Sequence, residues 1–438
     1  MYDIIYLGGG LNYAGAVIAA KSGLKVGLVE RSLSQLGGIC LHRGCIPSKM
    51  FLYYANTLRQ SRSDIFAGDL SLDMNLLYEK KNKLIQKATK AVTAQCSQVD
   101  LIEGDGHVIA PHTLEVNGKE IQAKYIVIGT GSSPFIPEGI VYDGIDIITS
   151  DEVLNMLELP QNIAIYGDGA IGLEMASFFA SCGVKTTLIS RKNGLLKNAH
   201  PLIQNSLEKQ HSNLNVIHLL NHPISKAKST TRGVHITFED GNSKYFEKLL
   251  VATGRHPNSD CIATDLINVD RGIVTDEHFE TTLKNHYAIG DCNGKVQLAH
   301  AARAEVLYVT QRILGKKPQV LNLNHVVRFI HTLPMGYATV GLNRTKLEKQ
   351  NIDFKERIVP LNHFTLSRVH DAQDGVVVLY VDMEGFILGV EILAPLAEEL
   401  IASISMALAG EMDISLANKT IMAHPTFSEA VQKAYFKI

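Results

Sequence analysis

A glycine-rich turn between a buried strand and a helix occurs twice in this chain, and it restricts the fold more tightly than any other feature. Ile4-Ile5-Tyr6-Leu7 is an apolar run without alternation, the pattern of a parallel strand covered on both faces. Gly8-Gly9-Gly10 follows, then a small-residue helix over 14–21 that stops at Gly23, then a strand over 25–29 that ends at Glu30. The order strand, turn, helix, strand is a βαβ unit. It recurs where 162–166 leads into Gly167-Asp168-Gly169-Ala170-Ile171-Gly172, followed by a helix over 173–182 that stops at Gly183 and a strand over 185–189. One such turn by itself is weak, because ordinary βα connections look the same. Two of them far apart predict two nucleotide-type domains, a duplication rather than a short-period repeat.

The remaining sequence allows a third domain, since 438 residues at roughly 150 per domain make about three. Hydrophobic residues are 46% and charged residues 20%, which excludes disorder. A net charge of −2 provides no field for gathering nucleic acid or acidic lipid, so neither is expected as a partner. The most apolar stretch, 385–410, is broken by Glu391, Glu398 and Glu399, so no membrane span is expected. Met1-Tyr2-Asp3 lacks the basic start of a signal peptide, and a cytoplasmic location is the expectation.

Between the two units, residues 73–98 read as a long lysine-rich helix with a solvated face. Residues 122–128 read as a strand ending in Gly129-Thr130-Gly131, and 249–252 as another ending in Thr253-Gly254-Arg255. The tail changes character. Residues 376–381 and 385–392 suggest a hairpin, and a helix over 397–409 follows, so a separate α+β domain is expected from about 325 onward.

Six cysteines in so long a chain are not a disulfide framework. Cys40 and Cys45 are different. They stand in Gly37-Gly38-Ile39-Cys40-Leu41-His42-Arg43-Gly44-Cys45-Ile46-Pro47-Ser48-Lys49, and Gly44 eases a turn that lets the pair close a small disulfide. Helix-forming residues follow, so Cys45 is expected in a first helical turn, where a thiolate is stabilised. Lys49 lies four residues on, hence on the same helical face. The arrangement suits a low-pKa dithiol. A zinc half-site and plain burial are the alternatives. No second Cys/His pair has zinc spacing, which weighs against the metal, while burial stays open. For Cys96, Cys182, Cys261 and Cys292 burial is the default.

Residues 38–49 closely resemble the redox-active segment of the flavin-dependent pyridine nucleotide-disulfide oxidoreductases. Their wording, Leu-His-Arg-Gly-Cys-Ile-Pro-Ser-Lys, is most similar to the dihydrolipoamide dehydrogenase branch. Matching motifs run in the family's order along nearly the whole chain. The resemblance implies an α/β protein with two Rossmann-like nucleotide-binding domains and an α+β dimerisation domain, divided as 1–147 (FAD), 148–268 (NAD(P)), 269–322 (return to FAD) and 323–438 (dimerisation). It implies a homodimer that exchanges electrons between NADPH or NADH and a small dithiol, a disulfide or a partner protein's lipoyl group. Cys40 would form the mixed disulfide and Cys45 would sit against the flavin. The alternative within the family is an NADPH-driven reductase of glutathione or another small disulfide.

By the same resemblance, Gly8 and Gly10 bind the FAD pyrophosphate at a helix N-terminus and Glu30 holds the adenine ribose. Tyr13 departs from the third glycine of that turn, and Gly15 comes two residues later. Gly290-Asp291 matches the second FAD motif, in which Asp291 holds the ribityl chain, and Leu298-Ala299-His300 opens a helix beside the flavin ring. Gly131 and Gly254 fall in strand-end segments that join the nucleotide domains. Gly167, Gly169 and Gly172 match the nicotinamide turn, and Glu174 matches the acid that pairs with Lys49. His424-Pro425-Thr426-Phe427-Ser428-Glu429 resembles the family's acid/base motif, with His424 as acid/base and Glu429 orienting it; Met422 replaces a histidine often found two residues earlier.

The second unit lacks an acid after its returning strand. Ser190 stands there, followed by Arg191 and Lys192, with Lys197 further on. Cations at these positions resemble the 2′-phosphate clasp of NADPH-dependent glutathione reductases. Gly172 is the NAD-like choice at the third glycine. The lean is to NADPH or dual use.

Overall fold

A computed structural model describes residues 1–436. Grouped by internal contacts, the chain forms two units. One comprises Met1–Met50, Asn75–Phe135 and Gly254–Leu323; the other comprises Phe51–Met74, Ile136–Thr253 and Asn324–Ile438.

The first unit is built on a seven-stranded sheet. Strands Asp100–Glu103, Val26–Glu30, Tyr2–Leu7, Lys119–Ile128 and His286–Ala288 run parallel, with Ile4 opposite Val26 on one side and Tyr125 on the other. Lys119–Ile128 also continues into an antiparallel meander through Thr113–Val116 and Gly106–Ala110. Ile4, Ile5, Tyr6 and Leu7 are all buried, which is why their sequence shows no alternation.

Helices Asn12–Lys21 and Ala299–Ile313 pack against each other on this sheet. Gly15 makes the approach possible: a Cβ there would stand 2.6 Å from both Val306 Cγ2 and Thr310 Oγ1. The packing glycine is therefore Gly15, two residues beyond the expected position. Asn12 ties the same turn to the sheet, its Nδ2 donating to the Leu7 carbonyl at 3.0 Å.

The second unit contains a five-stranded parallel sheet in the order Ile217–Leu220, Lys185–Ser190, Asn162–Tyr166, Lys248–Val251, Ile147–Ile148. It also contains a three-stranded antiparallel sheet, Ile224–Thr230, Gly233–Phe238 and Ser243–Phe246. A five-stranded antiparallel sheet in the order Arg328–Ile330, Gly336–Gly341, Ile387–Ala394, Val376–Val381, Lys355–Pro360 forms the C-terminal part. Helices Ala397–Ala409 and Ser428–Tyr435 pack on it. The second hairpin strand thus begins at Ile387, two residues later than its sequence suggested.

Contacts change hands between the two units at 50/51, 74/75, 135/136, 253/254 and 323/324. Strand Ile147–Ile148 is only two residues long, too short to leave a periodic signal, yet it pairs inside the second unit's sheet. The lysine-rich helix spans Met74–Gln95. Its lysines are not all solvated: Lys81 is 2% exposed, its Nζ lies 4.3 Å from the centre of the Tyr78 ring, and burial lowers its pKa to about 8. Lys81 falls on the stripe of Met74 and Leu77, so the helical period buries it. Among the described residues, no helix is long and apolar enough to cross a membrane.

Candidate active site

The dithiol belongs to the first unit. Cys40 lies in the short helix Gly38–His42, and Cys45 is the first residue of helix Cys45–Ser61, as the sequence predicts. Gly38, at φ +71°, hooks this segment onto the first glycine turn: a Cβ there would stand 2.8 Å from Gly10 Cα, and the preceding Gly37 N–H donates to the Gly9 carbonyl at 2.9 Å. The Cys40 thiol hydrogen-bonds Cys45. That bond, with burial, raises the Cys40 pKa far above an ordinary thiol, against an opposing pull from the Lys49 charge. The pair is thus not uniformly low in pKa, because Cys45 and burial together raise that of Cys40. Among the described residues no group of three or more His, Cys, Asp or Glu is arranged to hold a metal ion.

The residues expected to hold FAD surround the sheet's carboxyl end in the same unit. Gly8 turns at φ +99°, and Glu30 accepts from the Gly9 N–H at 2.5 Å. Asp291 follows Gly290 directly after the short strand His286–Ala288. Ser132, just past Gly131, donates its hydroxyl to Asp291 Oδ2 at 2.5 Å, and Arg255, just past Gly254, donates Nε to the Ser132 Oγ at 2.8 Å. Burial raises the Asp291 pKa, and the Ser132 bond and the Arg255 charge pull against it.

Two residues of this chain were missed as partners, Ser132 and Glu305. Glu305 is fully buried in the helix that Ala299 opens, and its Oε2 accepts from the Gly290 N–H at 2.7 Å and from Asn293 Nδ2 at 2.9 Å. Its Oε1 is buried with no hydrogen-bond partner among the described residues, and desolvation pushes its pKa up to about 7. An acid at 0% exposure leaves one sequence signal, its place on the apolar face of that helix with Val306 and Val309.

The second glycine turn lies in the other unit. Gly169 is the N-cap of helix Ala170–Ser181, Gly167 sits at φ +129°, and a Cβ on Gly172 would overlap the Gly167 carbonyl oxygen. Glu174 is 7% exposed and accepts from the His331 N–H at 2.9 Å, so it is no solvated helix charge. Ser190 closes strand Lys185–Ser190, and its Oγ accepts from the Lys192 N–H at 3.0 Å. Arg191 and Lys197 are exposed, whereas Lys192 reaches back to Asp168 with Nζ 3.2 Å from Oδ2.

Neither helix that follows a glycine turn has a side-chain cap or an acidic residue in its first turn. Their first N–H groups are left for an anion, which fits one diphosphate at each turn.

His424 and Glu429 meet in the second unit. His424 Nδ1 lies 2.8 Å from Glu429 Oε1, and the Thr426 N–H donates to Glu429 Oε2 at 3.0 Å. The His424 bond holds the Glu429 carboxyl below the usual range. With Nδ1 turned to the carboxylate, Nε2 is the other nitrogen of the exposed ring.

Residues 2–305 match the family described as pyridine nucleotide-disulphide oxidoreductase, and residues 327–435 match the dimerisation domain of that name. A dihydrolipoyl dehydrogenase of Bacillus subtilis is 31% identical, over 99% of this chain and 97% of its own length. One from Chlamydia muridarum is 30% identical, over 98% of this chain and 95% of its own. A solved structure, the HOCl-induced flavoprotein disulfide reductase RclA from Escherichia coli, superposes with a TM-score of 0.89 at 25% identity, over 99% of both chains. The two family matches, together with glycine turns and a dithiol in the places described, make this chain a member of the pyridine nucleotide-disulphide oxidoreductases.

Proposed function

We propose that Cys40 and Cys45 are the redox pair of a dihydrolipoamide dehydrogenase-like enzyme that passes electrons between a nicotinamide nucleotide and a dithiol or disulfide. The observation that carries the reading is the placing of Cys40, and of Cys45 at a helix start, on one segment hooked to the first glycine turn. FAD, when bound, supplies the two-electron relay between the dithiol and the nicotinamide.

In the oxidising direction a substrate thiolate attacks Cys40 Sγ of the disulfide, and Cys45 leaves as thiolate. The second substrate thiol then displaces Cys40, so the substrate becomes a disulfide and the two cysteines carry the electron pair. His424 takes the proton of the first attacking thiol through Nε2, with Glu429 holding the ring, and the proton of the second thiol ends on Cys40 as that sulfur is displaced. Gly8, Gly10, Glu30, Gly131, Asp291 and Ala299 hold FAD. Gly167, Gly169 and Gly172 hold the nicotinamide nucleotide, with Gly254 a further cofactor-binding glycine and Lys49 and Glu174 the cation and acid that the family resemblance assigns to electron transfer. The matched dimerisation domain supports a homodimer in which His424 of each chain serves the other's dithiol. A reducing compartment such as the cytoplasm suits a working dithiol.

A second reading, an NADPH-driven reductase of glutathione or another small disulfide, is favoured by the exposed Arg191 and Lys197 and by Ser190 in place of an acid. Steady-state turnover with lipoamide, glutathione disulfide and coenzyme A disulfide, each with NADH and NADPH, decides between them. Fastest turnover of lipoamide supports the first reading, fastest turnover of glutathione disulfide with NADPH the second. Bound FAD with no disulfide turnover at all sinks both.

A further inference from the structure

Helix Ser428–Tyr435 carries Glu429 in its first turn and packs on strand Lys355–Pro360. One face is apolar and closed: Ala430, Val431, Ala434 and Tyr435 are all buried. Side chains hold it at several points. The Phe427 ring lies edge-on to His370 at 5.4 Å, Lys433 Nζ stands 5.6 Å from the centre of the Phe364 ring, and Gln432 Nε2 donates to the Thr420 carbonyl.

The far end is held differently. Arg357 projects from the strand with 8% exposure, and its Nη1 donates to the carbonyls of Tyr435 at 3.1 Å and Phe436 at 2.5 Å. A buried guanidinium costs free energy unless its donors are used. Here they meet carbonyls at the helix C-terminus, where a cation also complements the helix dipole. The sequence gives Arg357 no motif to stand in, and the acid/base mechanism does not use it.

We propose that Arg357 is a positioning residue for the His424–Glu429 pair, fixing the axis of the helix that presents Glu429. The proposal rests on the reading of His424 as the acid/base. Eight residues at ~1.5 Å each make a lever about 12 Å long. A tilt of about 5° at the Arg357 end moves Glu429 by ~1 Å, and displacement on that scale costs on the order of 10²-fold in a proton-transfer step.

The test uses the FAD-loaded dimer and measures its two half-reactions separately: reduction by NAD(P)H, and thiol exchange with lipoamide or glutathione disulfide. Arg357→Gln is expected to slow thiol exchange about 10- to 100-fold while hydride entry stays within about 2-fold. A carboxylate that accepts from Nδ1 stabilises the imidazolium, so loosening it lowers the histidine pKa. The acid/base limb of the thiol-exchange pH profile should therefore move to lower pH. Arg357→Lys, which keeps a cation but loses the planar guanidinium that fixes its direction, should fall between the wild type and Arg357→Gln in both rate and limb.

A role in folding alone would lower the thermal midpoint and leave the limb in place, and that result overturns the proposal. An equal loss in both half-reactions overturns it as well. If Arg357→Gln does not fold, Arg357→Lys decides by its limb and its rate: a limb below that of the wild type with thiol exchange slowed selectively supports the proposal, and wild-type behaviour overturns it. His424→Ala is the control. If it leaves thiol exchange unchanged, the acid/base reading fails. If it abolishes exchange while the Arg357 variants behave as wild type, only the role of Arg357 fails.

Discussion

After Gly8-Gly9-Gly10 the returning strand delivers Glu30, whose Oε2 accepts from the Gly9 N–H at 2.5 Å. After Gly167-Asp168-Gly169 it delivers Ser190, whose Oγ accepts from the Lys192 N–H at 3.0 Å, and the exposed Arg191 follows. Both turns open a helix with no side-chain cap, so both suit a diphosphate. The scaffold is repeated and the residue at the end of the returning strand is not. An acid at the strand end accepts from ribose hydroxyls and repels a 2′-phosphate; a serine backed by an arginine does neither.

The largest expected effect tests whether the two turns work without the dithiol. Cys45→Ser should lower disulfide turnover by ~10³-fold or more while bound FAD and its reduction by nicotinamide persist. Stopped-flow reduction against steady-state turnover reads the split. Loss of hydride entry together with turnover would mean that the turns depend on the dithiol segment hooked to Gly10.

Next in size is the strand-end contrast itself. Arg191→Glu gives the second turn a carboxylate beside the ribose position, as at Glu30. The Michaelis constant for NADPH should rise about 10- to 100-fold and that for NADH by only a few-fold, as expected for loss of a charge-assisted phosphate contact. A wild type that strongly prefers NADH, with neither constant changed by the substitution, breaks the contrast and strengthens the lipoamide reading.

A smaller effect belongs to the first turn's unit. Glu305 titrates at about 7 in the folded chain against an ordinary 4.5, so the native state binds more protons between those values. Stability from this group is therefore present below pH ~4.5 and lost as pH rises through ~7, on the order of 2 kcal/mol after allowing for partial solvation. Glu305→Gln should flatten that part of the stability profile, seen as a thermal midpoint that falls less between pH 5 and pH 8 than in the wild type. An unchanged slope would mean that Glu305 is ionised at low pH.

The parts legible in the sequence are those written in consecutive residues. The glycine turns, the dithiol segment and residues 424–429 each announce themselves by local spacing, and the helix over Ala397–Ala409 was bounded to the residue. What escaped depends on residues far apart in the chain. Gly15 matters because Val306 and Thr310 come down on it, and Ser132 because Asp291 and Arg255 converge on it. Arg357 is defined by carbonyls near the chain end, and Lys81 by the apolar stripe that takes it inside. Composition carries no information about such meetings, and periodicity bears only on Lys81, which the helical repeat sets on the stripe of Met74 and Leu77. Strand Ile147–Ile148 escaped for the same reason, since a two-residue strand is recognisable only by its partner.

The smallest effect concerns Lys192, which the sequence groups with Arg191 as one basic cluster. The structure separates them. Lys192 Nζ is 3.2 Å from Asp168 Oδ2 in the glycine turn and its side chain is 55% exposed, whereas Arg191 is exposed with no salt bridge to Asp168. An ion pair with one partner so exposed contributes at most ~1 kcal/mol and is weakened by salt. It still neutralises Lys192 where a 2′-phosphate would call on it. Lys192→Ala should therefore raise the NADPH Michaelis constant less than about 5-fold, the most that ~1 kcal/mol allows, and leave that for NADH unchanged. Asp168→Asn should release Lys192 and increase the preference for NADPH, most visibly at low ionic strength. Measured beside Arg191→Glu, the pair ranks the two cations. If Lys192→Ala weakens NADPH as much as Arg191→Glu does, the Asp168 bond gives way to the phosphate, and Lys192 rather than Arg191 is what distinguishes the second turn from the first.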